Sequence, residues 1–390
     1  MKKVRKCLFV FVTIFILSIF MGTQVAFSED RSSESRAEEK EHYHHGVKSI
    51  AERVERIEDE MKGGLLGDWA KKITLSGAVE VEAGYEDFHF DDPAQSDEKS
   101  SDIVLATVEL GIDVDIVKHV KGHVLWLYEE DDTDPVALDE GMIIIDGEDV
   151  VPLYLNAGKM YVPFGNFESH FISDPLTLEL GETNESAIKV GFANEWADVG
   201  FAVFNGDINE AEEDDGIESY VINAVLTLPE GTVSGFGLTG GVSYISNIAD
   251  SDGMQDVLGE EFDTEEIEDY IGGLSAFVSV SYDDRFFFEA EYVGATDKFE
   301  EEDLGLEPDE KFEPTAFNVE LAYAVTGDLE VAVRYEGTDD TLNLLPEKQY
   351  GAAVTYSLFE STSLAFEYLH GEFENDDERD LFTCQLAIEF

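Results

Sequence analysis

Residues 381–390 read LFTCQLAIEF, and apolar side chains occupy every second position of this stretch. The residues between them are polar or small. A period of two is the side-chain period of a β-strand, and chain termini are more often frayed and polar. The stretch is therefore typical of the closing strand of an outer-membrane β-barrel, with lipid on one face and lumen on the other. The apolar positions are Phe382, Cys384, Leu386, Ile388 and Phe390.

The same alternation is present along most of the chain, from Lys72 onward. It predicts an all-β protein, a transmembrane antiparallel barrel of about sixteen strands that spans 72–390. Fourteen or eighteen strands would also fit, because alternation is lost where Met142 is followed by three isoleucines. The predicted strands lie near 73–88, 102–115, 119–129, 136–145, 151–161, 186–193, 197–205, 217–228, 234–246, 269–282, 285–297, 313–325, 328–337, 347–358, 361–373 and 380–390.

The connections between these predicted strands alternate in length. Short ones such as 117–118 and 359–360 alternate with long acidic ones such as 206–216 and 247–268. Outer-membrane barrels have short periplasmic turns and longer outer loops, so this order places both ends of the barrel chain in the periplasm. The closing strand then resembles the recognition strand that the barrel-assembly machinery reads, with the candidate signal residues Phe382, Leu386, Ile388 and Phe390.

Three different patterns precede the barrel. Residues 1–28 have a basic start, an apolar stretch and small residues before a cleavage site, which predict a secretory signal peptide rather than a membrane anchor. Residues 29–46 predict a disordered polar linker. Residues 47–64 predict a short periplasmic helix that either self-associates as a coiled coil or remains an unpaired amphipathic linker. Its heptad seam consists of Val47, Ile50, Val54, Ile57 and Met61.

The chain is strongly acidic, with 24 Lys and Arg against 88 Asp and Glu and a formal net charge of −64. Nucleic-acid binding requires a basic surface, so this balance disfavours it. Two explanations of the acidity remain open: a surface that faces cations, or adaptation to a saline habitat. We expect loosely bound divalent cations at the acidic loops rather than a defined calcium site.

Charged side chains share one face of the predicted strands. A charge on the lipid face near the membrane centre costs about 2–4 kcal/mol, so the charged face is assigned to the lumen. A barrel of this strand number has room for an aqueous channel. The predicted lumen is acidic with a few basic exceptions. Its candidate residues are Glu80, Glu82, Glu109, Asp113, Lys121, Lys159, Lys189, Glu289, Glu291, Glu320, Glu330, Arg334 and Glu367.

The third long connection, 162–185, differs from the other loops because it is rich in aromatic residues, glycine and proline. In sixteen-strand porins the third loop typically folds inward and narrows the channel. We therefore predict that this connection is the constriction. Its candidate constriction residues are Phe164, Phe167, Glu168, His170, Asp174, Glu179 and Glu182.

Two runs of this region, YVPFGNFES at 161–169 and SDPLTLELGET at 173–183, resemble the signature of the LbtU-type siderophore porin family. The motif-level resemblance covers about 155–192, and the layout of most of the chain also suits that family. The resemblance implies an outer-membrane porin that imports ferric siderophores, and it transfers no binding residues. An acidic vestibule repels anions, so small cationic solutes fit the charge better than anionic complexes.

Other chemistry has weaker support. The residues His42, His44 and His45 could bind a transition metal, although such a cluster in a polar tail is more often incidental. No recognisable arrangement of nucleophile and base is present, so we do not expect an enzyme. Beyond the predicted signal peptide the sequence contains one cysteine, Cys384, so neither a disulfide framework nor a cofactor is expected.

The sequence thus predicts a passive, cation-favouring porin of the bacterial outer membrane, with its N-terminal segment in the periplasm. The predicted partners are outer-membrane lipid and further copies of the chain in a homotrimer. The alternative is a structural barrel with a plugged lumen that tethers the envelope or mediates adhesion.

Overall fold

The computed structural model describes most of the barrel region of the chain. The described residues are 71–130, 136–147, 150–211, 216–262, 264, 266–299, 304 and 312–390. The predicted signal peptide, polar linker and heptad helix lie outside the described residues.

Sixteen strands of the described residues form one closed antiparallel barrel, which confirms the predicted fold class and strand count. Two further strands, β8 (Asn209–Glu210) and β11 (Glu266–Ile267), pair with each other in a short parallel ladder. The barrel strands are β1 (Ile73–His89), β2 (Glu98–Val117), β3 (Val120–Tyr128), β4 (Ala137–Asp146), β5 (Leu153–Tyr161), β6 (Asn184–Ala193), β7 (Ala197–Phe204), β9 (Ser219–Thr227), β10 (Phe236–Ile245), β12 (Gly273–Tyr282), β13 (Phe286–Ala295), β14 (Thr315–Ala324), β15 (Leu329–Asp339), β16 (Lys348–Phe359), β17 (Thr362–Glu372) and β18 (Glu378–Glu389).

The bounds differ from the prediction at two places that matter for the connections. β2 begins at Glu98 rather than near 102, because its polar start lacks alternation yet continues to pair with β1. β6 begins at Asn184 rather than near 186, because Asn184 pairs with Tyr161. The third long connection is therefore 162–183 and not 162–185.

The barrel closes where β18 pairs with β1. The Phe390 amide donates to the Gly77 carbonyl, and the Gly77 amide donates back to the Phe390 carbonyl, each over 3.0 Å. A Cβ atom on Gly77 would lie 2.5 Å from the Glu109 carbonyl oxygen and 2.8 Å from the Phe390 ring. Glycine is therefore required for this close approach. The alternating stretch 381–390 is the closing strand of the sheet.

The two faces of the strands differ as the alternation predicts. Leu321 on β14 and Val333 on β15 are 55% and 53% exposed, whereas their neighbours Glu320 and Arg334 are 0% and 2% exposed. Since successive residues of a strand point to opposite faces, the apolar side chains lie outside the barrel and the charged ones inside. Phe382, 56% exposed on β18, belongs to the same outer face. Such an outward apolar band is the surface of a barrel built for a bilayer.

Short helices lie in the long connections and were not predicted. α1 (Leu176–Gly181) follows Pro175 and buries Leu176 and Leu180, which are one helical turn apart. Connection 246–272 contains a 3₁₀ turn, α2 (Asp252–Asp256) and a π-helical turn. These segments are too short to show a helical period in the sequence.

Among the described residues, no helix has the length and apolar content needed to cross a bilayer.

An apolar cluster, called the loop core below, joins several long connections to the inner wall of the barrel. Each large apolar side chain that it buries contributes about 1.5–3 kcal/mol of transfer free energy. On the barrel wall, the loop core includes residues of β5, β6, β7, β9, β10, β13 and β14. Its residues include Phe164, Leu176, Leu180, Ala202, Phe204, Val221, Ile245, Ile248, Met254, Leu258, Ile267, Ile271, Val293, Phe299 and Phe312.

Candidate functional site

Connection 162–183, called the inward loop below, crosses the lumen of the barrel. It joins β5 to β6, yet its hydrogen-bond partners lie on β13, β14, β15 and β17. In the order of strands around the barrel, β15 lies opposite the β5–β6 pair. The loop therefore reaches from one wall to the other, and α1 is the part of it that packs against β13, β14 and β15.

Glutamates of the wall accept hydrogen bonds from the backbone of the inward loop. Glu291 on β13 accepts from the amides of Asn166 and Phe167 over 2.7 and 2.9 Å. Glu320 on β14 accepts from the amide of His170 over 2.8 Å. A loop inside a barrel has no neighbouring strand to satisfy its amides, so buried carboxylates take that role.

The same arrangement continues along the loop. Glu367 on β17 accepts from the amides of Ile172 and Ser173 over 2.7 and 3.1 Å. Glu336 on β15 accepts from the amide of Leu176, the first residue of α1, over 2.8 Å. These four glutamates, Glu291, Glu320, Glu336 and Glu367, are called the wall glutamates below.

Arg334 on β15 connects the wall glutamates to the loop. Its guanidinium donates to Glu320 over 2.8 Å and to Glu336 over 3.3 Å, and all three side chains are fully buried. It also donates to the Ser173 carbonyl over 2.9 Å and lies 4.3 Å from the centre of the Phe171 ring. A planar donor with five N–H groups suits this many partners at once. Arg334 and the wall glutamates fix the inward loop across the lumen.

The face of the inward loop that does not bind the wall glutamates is called its free face below, and it carries several carboxylates. Glu168, Asp174 and Glu179 are exposed and Glu182 is half-buried. Most of them line a cavity of ≈ 540 Å³ that runs along this face of the loop. The space between this face of the loop and the barrel wall at β1, where Glu82 interacts electrostatically with Asp174, is called the passage below.

Carboxylates of the barrel wall face the inward loop across this passage. Glu80 and Glu82 on β1 and Glu109 on β2 are half-buried. The Gln385 amide donates to Glu80 over 3.2 Å and to Glu82 over 2.9 Å. Glu82 interacts electrostatically with Asp174 of the loop. The passage thus has negative charge on both of its sides.

Burial and like charges raise the pKa of the carboxyl groups of the loop. Partial burial, together with the nearby charges of Asp252, Asp174 and Asp139, raises the pKa of Glu182 to about 8. The protein that surrounds the partly exposed Asp174 side chain also raises the pKa of this group, and the guanidinium of Arg334 partly offsets this. Glu182 therefore changes its charge near neutral pH, unlike an ordinary glutamate.

Cation preference is expected to increase when the pH rises from 7 to 9, because Glu182 carries its charge only above its pKa of about 8. Below that pKa the carboxyl group is protonated and neutral, so it attracts no cation. The reversal potential in a KCl gradient measures this preference at each pH. The variant E182Q is the control and should show a smaller rise. An equal rise of cation preference in the wild-type protein and in E182Q would show that other groups cause the pH dependence.

Several predicted lumen residues lie beside the inward loop without anchoring its amides. Glu330 accepts from or donates to His170 Nδ1 over 2.9 Å, depending on protonation. Glu289 interacts with the charges of His170 and Glu168.

The predicted lumen residue Asp113 on β2 contacts a neighbouring strand. It lies 2.9 Å from a ring nitrogen of His123 on β3.

The three predicted lumen lysines are spread around the barrel and do not form one basic site. Lys121 is exposed on β3. Lys159 on β5 donates to the Leu138 carbonyl over 3.4 Å. Lys189 on β6 lies 5.3 Å from the centre of the Tyr154 ring.

Five candidate residues lie away from the open passage. Glu291, Glu320, Glu367 and Arg334 are buried beneath the inward loop, where they anchor it instead of facing solute. Phe164 is 2% exposed and packs in the loop core rather than at the constriction. Phe167 remains half-buried on the passage side, with its ring against Gly165 and Gly181.

The sequence interpretation missed three acidic residues that take part in the site. Glu336 anchors α1, and its position two residues after Arg334 places it on the same inner face, so alternation could have found it. Asp139 and Asp252 raise the pKa of Glu182 from β4 and from α2. Nothing in the local sequence links these two to Glu182.

Among the described residues, no group of three or more His, Cys, Asp or Glu side chains has the arrangement of a metal site. The histidines His42, His44 and His45 lie outside the described residues.

Solved structures of outer-membrane channels share this architecture. The outer membrane channel DcaP of Acinetobacter baumannii superposes with a TM-score of 0.55 at 13% identity, covering 82% of this chain and 97% of that chain. OprB of Pseudomonas putida gives a TM-score of 0.57 at 12% identity, covering 84% and 97%. OmpF of Salmonella typhi, in complex with daunomycin, gives 0.55 at 10% identity, covering 82% and 97%. The chain therefore has the fold of the outer-membrane porins.

Curated relatives are found in two bacterial genera. The chain is 29% identical over 332 residues to UPF0422 protein lpp3030 of Legionella pneumophila strain Paris, covering 76% of this chain and 58% of the relative. It is 26% identical over 310 residues to a UPF0422 protein of Coxiella burnetii, covering 77% and 64%. The chain thus spans less than two thirds of the length of these relatives. Their names state no activity, so they do not support the narrower resemblance to siderophore porins.

No family model matches the chain.

Proposed function

We propose that the protein is an outer-membrane porin through which small hydrophilic solutes diffuse passively, with a preference for cations. The observation that supports this most is the position of the inward loop. It crosses the lumen with Asp174 and Glu182 on its free face, and Asp174 interacts electrostatically with Glu82 of the wall. Carboxylates of the loop and of the wall therefore act on the same space.

The proposed selectivity is electrostatic and involves no covalent step. Two charged walls of protein, with little water between them, focus the potential in the passage and raise the local concentration of cations. Screening acts over about 8 Å at physiological ionic strength, so carboxylates on the two sides reinforce each other across a narrow gap. Anions meet the same field as a barrier, and pore width limits the size of solutes.

Reconstituted protein in a planar bilayer is expected to conduct, and a KCl gradient should give a reversal potential of the sign for K⁺ preference. At pH 9, where Glu182 is ionised, the variant D174N/E182Q should shift that potential toward zero, because two carboxylates of the passage lose their charge. D91N/D92N is the matched control, because it removes two exposed carboxylates from the connection between β1 and β2, and it should leave the potential unchanged. The absence of conductance, or a clear Cl⁻ preference, would contradict the proposal.

Orientation, assembly and partners follow from this proposal. The outward apolar band is proposed to contact outer-membrane lipid, and the short connections are proposed to face the periplasm. The outward side chains at the end of β18, Phe382 to Phe390, are proposed to form the signal read by the barrel-assembly machinery. A homotrimer is proposed, as are loosely bound divalent cations at the acidic loops.

A ferric siderophore is a second candidate solute, implied by the resemblance of the inward loop to the LbtU-type family. The charge of the passage favours complexes that are neutral or positive and opposes anionic ones. Growth of a deletion strain on defined ferric siderophores, with the wild-type gene restored as control, tests this candidate independently of ion conductance.

A structural barrel with a plugged lumen is the competing proposal, and the loop core is the observation that favours it. Side chains of the long connections, such as Ile248, Leu258 and Phe299, are fully buried in the loop core. The half-exposed carboxylates of β1 and β2 favour an open passage. Conductance distinguishes the two proposals, because a plugged barrel passes no measurable current.

A further inference from the structure

The cavity of ≈ 540 Å³ on the free face of the inward loop combines two kinds of side chain. Both aromatic rings and carboxylates line its wall. Its volume is suited to a small organic molecule. The residues that give it this character are Tyr161, Phe167, Phe171, Glu168, Asp174 and Glu182.

The carboxylates of this cavity lack a cation of their own. In the described part of the chain, neither Asp174 nor Glu182 forms a salt bridge. The charges that act most strongly on Glu182 are all acidic. Arg334 acts on Asp174, but its guanidinium is already bound by Glu320 and Glu336. A positively charged group in the cavity would relieve the repulsion between these carboxylates.

The aromatic rings of the cavity determine which chemical class of cation can bind there. A ring face attracts a cationic group, and the ring of Phe171 already receives the guanidinium of Arg334 at 4.3 Å. Tyr161 also lines the cavity, and its hydroxyl group donates to Asp139 over 3.0 Å. A hydrated metal ion gains little from apolar rings, and the described residues contain no cluster of metal ligands. An amine or guanidinium attached to an apolar body uses both kinds of side chain.

We propose that this cavity binds organic cations that carry an aromatic or apolar body, and that such molecules are preferred solutes of the passage. This inference rests on the proposed function, because the cavity lies in the proposed conduction path. Binding is weak enough for passage, since the cavity is open to lumen water and the solute keeps part of its hydration.

The test uses p-xylylenediamine, a rigid aromatic diamine, as the probe. Added to reconstituted wild-type protein in KCl, it should block the current in a concentration-dependent way, and equimolar Mg²⁺ of the same charge should block it less. The variant D174N/E182Q should weaken the block about tenfold, because it removes the charge of Asp174 and the ionised form of Glu182 that a bound cation favours. F167L should weaken it by a smaller factor, because it removes a ring and no charge.

The control variant E80Q/E109Q also removes two lumen carboxylates, but neither lines the cavity. Equal block by Mg²⁺ and by the diamine, or equal weakening in the two double variants, would overturn the inference and leave only a general cation preference. Calorimetric titration of the diamine into detergent-solubilised protein is the second measurement. If wild-type protein does not conduct, the proposed function fails, and calorimetry alone decides the cavity: no binding overturns it, and binding lost in D174N/E182Q supports it.

Discussion

Replacing Arg334 by methionine is expected to lower the free energy of unfolding by about 3–5 kcal/mol, the range for removing one partner of a buried ion pair. Glu320 and Glu336 would remain fully buried with no cationic partner, and the inward loop would lose the donor to its Ser173 carbonyl. Urea-induced unfolding in detergent, followed by tryptophan fluorescence, measures the change. Larger current fluctuations in a bilayer should accompany it, because the loop is then less firmly held.

The triple variant R334M/E320Q/E336Q is the matched control for this prediction. It removes all three charges together, so neither Glu320 nor Glu336 is left as a buried charge without Arg334, and much of the lost stability should return. A single variant R334M as stable as the wild type would show that the buried ion pairs do not hold the loop. If the triple variant has the same free energy of unfolding as R334M, lost packing rather than unpaired charge is the cause of the lower stability.

Deleting 166–182 is expected to raise single-channel conductance about twofold or more, because the segment that crosses the lumen is then absent. Cation preference should fall at the same time, since Glu168, Asp174, Glu179 and Glu182 are removed with it. Conductance and reversal potential in KCl measure both effects in one experiment. Glu291 and Glu367 are changed to glutamine in the same background, because they lose their amide donors, whereas Glu320 and Glu336 keep Arg334 as their partner.

The deletion needs a control that shortens a long connection without touching the lumen. Removing 92–96 from the exposed connection between β1 and β2 meets this need and should leave conductance unchanged. The glutamine changes alone, in a chain with the loop intact, show what the loss of wall charge contributes. If the deletion of 166–182 leaves conductance unchanged, the inward loop does not limit the current.

The barrel could be predicted from the sequence because alternation is a local property. Each strand that separates lipid from lumen carries a period of two in its own residues, and stretch 381–390 shows it without interruption. Where a strand begins with polar residues, as β2 does at Glu98, the period disappears although the pairing continues. The bounds of strands were therefore less predictable than their number.

The candidate site was less predictable because it depends on contacts between residues that are distant in the sequence. Alternation places Glu291 and Glu320 inside the barrel, but it does not tell whether an inner residue faces water or a loop. Only the path of the inward loop decides this. Likewise, Asp139 reaches Glu182 through the pairing of β4 with β5, and Asp252 reaches it through the folding of connection 246–272, and neither leaves a signal in the residues around Glu182.

The wall glutamates also have a consequence for the order of events during assembly. The Asn166 amide and its acceptor Glu291 are 125 residues apart, and the Ile172 amide and its acceptor Glu367 are 195 residues apart. Contacts of such separation form late, because many intervening residues must first be ordered. The loop cannot be seated until β17 is in place, close to the completion of the sheet. A barrel arrested before that moment would have a wide, unobstructed mouth, so leakage of large solutes is the expected mark of incomplete maturation.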